Sequence, residues 1–193
     1  MSKNLKQNEK ICLEKENKPI RKIALALGWD ESNSRRKFVS KKSIDCDVSL
    51  FLLQNDKLCG KEDVISFANL THQRAGILHK GDNINGRGDG DDEEILLDLK
   101  SIPDEYNKLV CVVNIYQAKE RKQHFGMIKN AYCRLIDLEN NEEICRFELN
   151  EDYTQMYAMI VGELYKQGQM WYFHPVAQPT RDESMTMLMQ RYI

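Results

Sequence analysis

The sequence predicts an all-β domain, and three observations support this. Short apolar or alternating runs recur along the chain, turn residues separate most of them, and few stretches have helical periodicity. A chain of 193 residues can bury roughly 70% of its unfolded surface, so one domain can form a core without disulfides. Many strands with few helices are typical of a sandwich or a barrel.

Eight segments have the pattern of a strand. Each is a compact apolar run or alternates apolar with polar residues. In chain order they are Ile20–Leu27, Val48–Leu53, Val64–Ala68, Ile95–Leu99, Leu109–Tyr116, Tyr132–Leu138, Ile144–Leu149 and Gln169–Val176. In the sixth and seventh segments, the alternation places Arg134 and Arg146 on the solvent side.

Three other stretches favour a helix or a turn. Gln155–Lys166 has apolar residues at spacings of three and four, which predicts an amphipathic helix. Arg121–Lys129 predicts a short helix or turn. The tail, Asp182–Ile193, predicts a final short helix because Met185 and Leu188 would share one face.

Composition and charge exclude several classes of function. The net charge is −2 and the pI is near 6.1, so no global field favours nucleic acid or an anionic membrane. Met1–Lys10 is polar and lacks the apolar core of a signal peptide. No run reaches the roughly 20 apolar residues that a membrane span requires. We therefore expect a cytoplasmic protein with no transmembrane segment and no nucleic-acid partner.

The six cysteines predict reduced thiols rather than a zinc or redox motif, because no two of them form a CxxC pair. Four lie in apolar or alternating runs and are expected to be buried: Cys46, Cys111, Cys133 and Cys145. Cys12 and Cys59 are expected to be the exposed pair.

The segment Gly81–Glu94 has the strongest chemical signal. Five of its last six residues are acidic, four glycines lie among the polar residues, and Arg87 is its only basic residue. Crowded carboxylates repel one another unless a cation lies among them, and glycines let carbonyl oxygens turn inward. Six to eight oxygen ligands are what Ca²⁺ takes, whereas Mg²⁺ uses fewer carboxylates and keeps more waters. The segment predicts a Ca²⁺ loop, with Mg²⁺ or a solvated acidic turn as the alternatives.

A second acidic pair, Asp45 and Asp47, flanks Cys46 just before an apolar run. Alternate residues of a strand point to one face, so both carboxylates can face one cation. The alternative is two polar residues that begin a strand.

Several motifs together resemble the TerD family of tellurite-resistance and stress-response proteins. They occur in family order and cover roughly residues 20–178. The matching segments are Leu27–Asp30, Ile44–Leu53, Gly81–Asn83 with Gly88–Glu93, Asn114–Tyr116, Phe125–Ala131, and Glu151–Tyr153 through Gly162–Tyr165.

The resemblance implies a β-sandwich of two mostly antiparallel sheets with a few short helices. On this basis the chain divides into three parts. Residues 1–19 match the family poorly and would supply the first strand, residues 20–178 form the calcium-binding sandwich, and residues 179–193 form a tail with a short helix. Arg87 departs from the acidic residue common at that loop position.

The resemblance also implies a ligand set for Ca²⁺, with Gly86 as a further contributor. The expected ligands are Asp45, Asp47, Asp82, Asn83, Asp89, Asp91, Asp92 and Glu93. The implied function is a non-enzymatic Ca²⁺-binding protein of tellurite resistance and the general stress response, in which Ca²⁺ orders the loop and a protein partner reads it.

Three other functions remain open at this point. A Ca²⁺-dependent adaptor would contact a protein or an anionic membrane through Arg35, Arg36 and Lys37. A metal-dependent hydrolase would need a base beside the metal, and His79 is the nearest in sequence. Direct tellurite reduction would need the exposed thiols.

Overall fold

The computed structural model describes residues 2–31, 43–81, 90–149 and 151–193, with only the backbone described for Glu31. Sixteen strands lie within these ranges. In chain order they are β1 (Lys3–Asn4), β2 (Ile11–Cys12), β3 (Glu14–Lys15), β4 (Lys18–Pro19), β5 (Lys22–Glu31), β6 (Cys46–Gln54), β7 (Lys57–Leu58), β8 (Val64–Ile65), β9 (Thr71–His72), β10 (Ile77–His79), β11 (Glu93–Asp98), β12 (Lys108–Ile115), β13 (Ile128–Asp137), β14 (Glu142–Glu148), β15 (Ala158–Gln167) and β16 (Met170–Thr180).

The described helices are short. Helix α1 spans Ala118–Arg121 and helix α2 spans Met185–Gln190, within the tail segment for which the sequence predicts a helix. Two 3₁₀ helices span Lys61–Asp63 and Phe125–Met127. No helix in the described part of the chain combines the length and the apolar character needed to span a bilayer.

The long strands form two sheets. The first has the order β1-β14-β13-β5-β11-β10-β9, and the second has the order β2-β16-β15-β12-β6, with β7 and β8 both pairing with β6. Strands β3 and β4 form a separate small hairpin. All of these pairs are antiparallel except β1 with β14. The predicted fold class, two mostly antiparallel sheets with few helices, is therefore confirmed.

The main core lies between the two sheets. Alternate residues of each strand point inward, including Leu25 of β5 and Ile95 of β11 from the first sheet. Leu50 of β6 and Cys111 of β12 face them from the second sheet. This pattern fixes which residues of each strand lie inside the sandwich.

A second, smaller core lies on the outer face of the second sheet. Phe51 and Val112 lie there, covered by the fully buried Leu188 of α2. The ring of Tyr192 meets that of Phe51 edge to face, with centroids 5.8 Å apart. Strands β6 and β12 are therefore buried on both faces where the tail covers them.

One predicted element is wrong. Gln155–Lys166 is not a helix, because residues 158–167 form β15, the strand between β12 and β16. Ala158 and Ile160 pack in the outer core, while Met159 and Val161 pack in the main core. A strand that is apolar on both faces also has apolar residues three and four apart, which explains the helical spacing.

Candidate metal site

The acidic segment connects β10 to β11, at the end of the sandwich where β6 begins. Its described ends are Gly81 and Gly90, both with φ of +115°, a backbone conformation that favours glycine. Four of the residues expected to bind Ca²⁺ lie outside the described residues: Asp82, Asn83, Gly86 and Asp89. The described candidates are therefore Asp45, Asp47, Asp91, Asp92 and Glu93.

Asp92 connects the end of this segment to β5. Its backbone N–H donates to the Leu27 carbonyl at 2.8 Å, and its Oδ2 accepts the Trp29 N–H at 2.9 Å. Burial raises the pKa of the Asp92 carboxyl, and the nearby charges of Asp30 and Asp91 raise it further, against the opposing effect of the Trp29 hydrogen bond. The negative form of Asp92 is thus disfavoured by its neighbours.

Asp91 is bound by the first sheet. Arg134 of β13 donates to it through Nε at 2.9 Å and through Nη2 at 2.8 Å, a bidentate ion pair. The Tyr132 hydroxyl also donates to Asp91 Oδ1 at 3.0 Å. Arg134 holds Glu143 as well, with Nη1 3.1 Å from Oε2. The Asp91 charge is therefore compensated by protein groups.

Glu93 crosses the sandwich. It is the first inward residue of β11, in the same row as Ile95, so its side chain points at the second sheet. Its Oε2 accepts the Val48 N–H at 2.7 Å. Strand β8 pairs with β6 only at Leu50 and Phe51, so it ends before Val48. Among the described strands, the Val48 N–H therefore has no partner on that side, and Glu93 accepts from it instead.

His79 binds the same edge. Its Nε2 lies 3.2 Å from the Val48 carbonyl oxygen and 3.9 Å from Glu93 Oε2. The Gly81 N–H donates to Nδ1 at 3.1 Å, so Nδ1 is an acceptor and we assign the ring proton to Nε2. Both ring nitrogens serve the fold, and the side chain is 1% exposed.

Asp45 and Asp47 are both buried, and each meets a different partner. Asp45 Oδ2 lies 3.5 Å from Nη1 of Arg121, while Asp47 Oδ2 accepts from Nδ2 of Asn114 at 3.4 Å. Between them, Cys46 points into the main core. Burial raises the pKa of its thiol well above the usual value, and the carboxylates of Asp47, Glu93, Asp45 and Asp92 raise it further.

Within residues 2–31, 43–81, 90–149 and 151–193, no three His, Cys, Asp or Glu side chains form a group that could hold a metal ion. The five described candidates lie at one end of the sandwich, yet each has a protein partner of its own. They therefore do not complete a metal centre without the residues of 82–89.

Sequence reasoning missed the basic and aromatic residues that bind these acids. Arg134 was placed on the solvent side of its strand, which is correct, but only the fold shows that Asp91 lies beside it. Arg121 and Asn114 lie in segments that the sequence singles out for other reasons, but nothing in the sequence indicates that they pair with Asp45 and Asp47. Pairing across 40 or more positions is set by strand register, which composition does not reveal.

The thiols follow the prediction. Cys46, Cys111, Cys133 and Cys145 are buried, Cys59 is exposed and Cys12 is partly exposed. A bond with the Cys111 thiol and burial raise the pKa of Cys133 well above its usual value, and burial raises that of Cys145 to about 12. Buried thiols held in the neutral form are poor nucleophiles.

Comparisons with known proteins agree with the fold. The model of the TerD domain matches residues 1–192. The chain is similar to stress response protein SCP2 of Bacillus subtilis (strain 168), with 39% identity over all of both chains. It is also similar to tellurium resistance protein TerD of Serratia marcescens, with 36% identity over 92% of this chain and 91% of that protein.

A solved structure supports the same architecture. The crystal structure of a homologue of telluride resistance protein (TerD) from Streptomyces coelicolor A3(2) superposes with a TM-score of 0.63 and covers 87% of this chain and 98% of its own. Its sequence identity is 15%, so this likeness concerns the fold. With a domain match across nearly its whole length and two relatives above one-third identity, the chain belongs to the TerD family.

Proposed function

We propose that the protein is a non-enzymatic Ca²⁺-binding member of the TerD family that contributes to tellurium resistance and the stress response. The proposed role in resistance and stress draws on the names of two relatives, a stress response protein and a tellurium resistance protein. The proposed binding of Ca²⁺ draws on the chemistry at the acidic end of the sandwich.

The crowding of carboxylates at this end is the observation that carries the proposal. Asp45, Asp47, Asp92 and Glu93 all lie close enough to Cys46 to disfavour its thiolate, and the adjoining segment adds further acids. Such crowding destabilises a fold unless cations offset it. The donors are hard oxygens, which suits Ca²⁺ better than zinc or copper.

The contacts divide the expected ligands into two groups. Asp91 is held by Arg134 and Glu93 by the backbone of Val48, so both anchor the C-terminal end of the segment. Asp45 is paired with Arg121. We assign the ion to Asp82, Asn83 and Asp89 together with Asp92, and to Asp47 from β6. Bound Ca²⁺ would supply charge neutralisation and would stabilise the fold by mass action.

The hydrolase alternative is weakened by the position of its nearest candidate base. His79 is its nearest candidate, but that imidazole is buried and uses both nitrogens on backbone groups of Val48 and Gly81. A general base must be within reach of a substrate proton. This favours a binding role over catalysis.

Calorimetric titration of chelator-stripped protein with Ca²⁺ tests the proposal. We expect binding in the wild type and at least tenfold weaker binding for Asp92→Asn. Glu142→Gln is the matched control because it removes one charge from an exposed ion pair with Lys15, away from the acidic end. No heat in the wild type, or equal affinity in Asp92→Asn, would contradict the assignment.

A further inference from the structure

A cleft of about 430 Å³ opens on the outer face of the second sheet, beside α2. Three segments surround it: the connection after β8, the turn between β12 and α1, and the residues that begin α2. Asp47 and Asn114 line it from the sheet itself. The tail covers the neighbouring part of this face with Leu188, so the cleft begins where that cover ends.

Two aromatic side chains line the cleft. Phe67 is 44% exposed and Tyr116 is 39% exposed, and their rings meet edge to face with centroids 6.5 Å apart. The guanidinium carbon of Arg121 already lies 4.8 Å from the centroid of the Tyr116 ring. The site thus shows that this ring accepts a planar cation.

The polar groups on the sheet side are the carboxylate of Asp47 and the amide of Asn114. Asp47 is 3% exposed and Asn114 is 8% exposed. The bond from Asn114 Nδ2 to Asp47 Oδ2 is long, at 3.4 Å, and Asn114 Oδ1 has no hydrogen-bond partner among the residues that the structure describes. A buried carbonyl oxygen without a donor is unfavourable, and such groups in folded proteins call for an explanation.

The lining is also negatively charged. Asp47, Glu120 and Glu183 are acidic and Lys119 is basic, which gives a net charge of −2. Lys119 is bound to Glu183, with 2.7 Å between Nζ and Oε1. The adjacent Arg121 is offset by Asp45. An anionic ligand would meet repulsion here, and a cation would meet attraction.

We propose that this cleft binds an organic cation that carries N–H donors, an ammonium or guanidinium group. The cation would replace the long Asn114–Asp47 bond by lying between the two side chains. Asn114 Oδ1 is covered, so its amide would turn toward the cleft, which the broad χ2 of asparagine allows. The apolar part of the ligand would pack on Phe67 and Tyr116.

Calorimetry in EDTA with agmatine as the probe tests this, with tetramethylammonium as a cation that has no N–H donor. We expect agmatine to bind and tetramethylammonium to bind at least tenfold more weakly. Equal affinity for the two cations, or no binding of agmatine at millimolar concentration, would overturn the proposal.

Substitutions locate the site. We expect Asn114→Leu to weaken agmatine binding about tenfold, by loss of its acceptor. Phe67→Ala should weaken it roughly threefold to tenfold, by loss of the ring against which the apolar part of the ligand packs. Leu78→Ala is the control, since Leu78 is equally exposed at 42% but does not line the cleft. A loss in Leu78→Ala that matches Phe67→Ala, in variants with unchanged thermal melting, would contradict the assignment.

Two further comparisons identify the ligand and separate this site from Ca²⁺ binding. Tighter binding of acetyl-arginine amide than of agmatine assigns the site to a protein side chain, and the reverse assigns it to a free amine. Asp47 is also an assigned Ca²⁺ ligand and accepts a hydrogen bond from Asn114, so Phe67→Ala, which leaves both of these side chains in place, is titrated with Ca²⁺ as well. Loss of agmatine binding with unchanged Ca²⁺ affinity supports a separate site, and parallel loss of both contradicts it.

Discussion

Asp91, Asp92 and Glu93 are adjacent in the chain, but the three carboxylates have different surroundings. Asp91 lies against a guanidinium, Asp92 lies beside two other acids, and Glu93 is buried against the backbone of the facing sheet. Residue type and spacing alone make these three equivalent ligands. The contacts instead give Asp91 and Glu93 structural roles and leave Asp92 as the acid whose charge a cation would relieve.

Glu93→Gln tests the structural role of Glu93. The change keeps the shape of the side chain but replaces a charged acceptor by a weaker one at the Val48 N–H. A hydrogen bond to a charged group contributes about 1.5–3 kcal/mol, and glutamine keeps a neutral acceptor, so we expect the free energy of unfolding to fall by at most about 3 kcal/mol. Urea denaturation in EDTA at neutral pH measures this change without any contribution from a metal.

Glu94→Gln is the matched control for this experiment. Glu94 is the next residue, is half-buried, and pairs with Lys80 at 3.3 Å. Loss of such a pair is expected to cost less than about 0.5 kcal/mol. Equal losses for the two variants, or no loss for Glu93→Gln in EDTA, would show that Glu93 does not link the two sheets.

At the scale of elements, the positions of the long strands along the chain are the part that the sequence predicts well. Alternation marks β14 because one side of this strand is more exposed to solvent than the other. It fails for β15, whose apolar residues lie on both faces because a second core covers the outer side of its sheet. The covering element, α2, is far along the chain, so local periodicity carries no information about it. For the same reason, local periodicity does not predict the buried position of Asn114, a polar residue of a strand that is mostly apolar on both faces.

Helix α2 supplies the element-scale prediction. Ser184 caps the helix by accepting the Met187 N–H at 3.3 Å, and Leu188 is fully buried against Phe51 and Val112. Leu188→Ala leaves a cavity in the outer core, so we expect a loss of about 2–4 kcal/mol in the free energy of unfolding. Chemical denaturation provides the measurement.

Met187→Ala is the control on the same helix, since Met187 is 42% exposed. We expect its effect to stay within about 0.5 kcal/mol, as for an ordinary surface substitution. If Leu188→Ala were as mild as Met187→Ala, the tail would not be part of the cooperative fold. In that case α2 could detach without lowering the stability of the sandwich, and the cleft would lose the wall that the start of α2 provides.

Across the whole molecule, three tyrosine hydroxyls are set in distant parts of the sandwich. Tyr106 donates to the buried Asp63 at 2.5 Å, beside His72, and Tyr132 donates to Asp91. Tyr192, near the end of the tail, packs against Phe51. Each of the three has its pKa raised to about 12, first of all by burial. The charges of Asp63 and Asp91 add to this for the first two, and that of Glu163 for Tyr192.

These shifts predict a loss of stability at high pH. A tyrosine in the unfolded chain ionises near pH 10, whereas these three stay protonated in the folded protein until about pH 12. Their raised pKa values therefore add stability that is fully present below about pH 10 and is lost between about pH 10 and pH 12. Buried thiols act in the same direction from a lower pH, because an unfolded thiol ionises near pH 8.5. Urea denaturation from about pH 8 to about pH 11.5 should show a falling free energy of unfolding.

Single substitutions assign this slope to particular hydroxyls. The Tyr132 hydroxyl ionises at a lower pH in the unfolded chain than in the folded protein. Tyr132→Phe removes this difference, so above pH 10 the slope of the free energy of unfolding against pH should decrease by the equivalent of up to about one proton. Tyr106→Phe should act in the same way. Its loss of the Asp63 bond lowers stability at neutral pH as well, because a buried carboxylate then loses one of the two donors that the structure describes for it and keeps only His72. Leu78→Ala, at an exposed position, removes no ionisable group, so it is the control and should leave the slope unchanged. If Tyr132→Phe and Tyr106→Phe also had the wild-type slope, the thiols and lysines would account for the alkaline loss. The hydroxyls of Tyr106 and Tyr132 would then not be linked by ionisation to the stability of the sandwich.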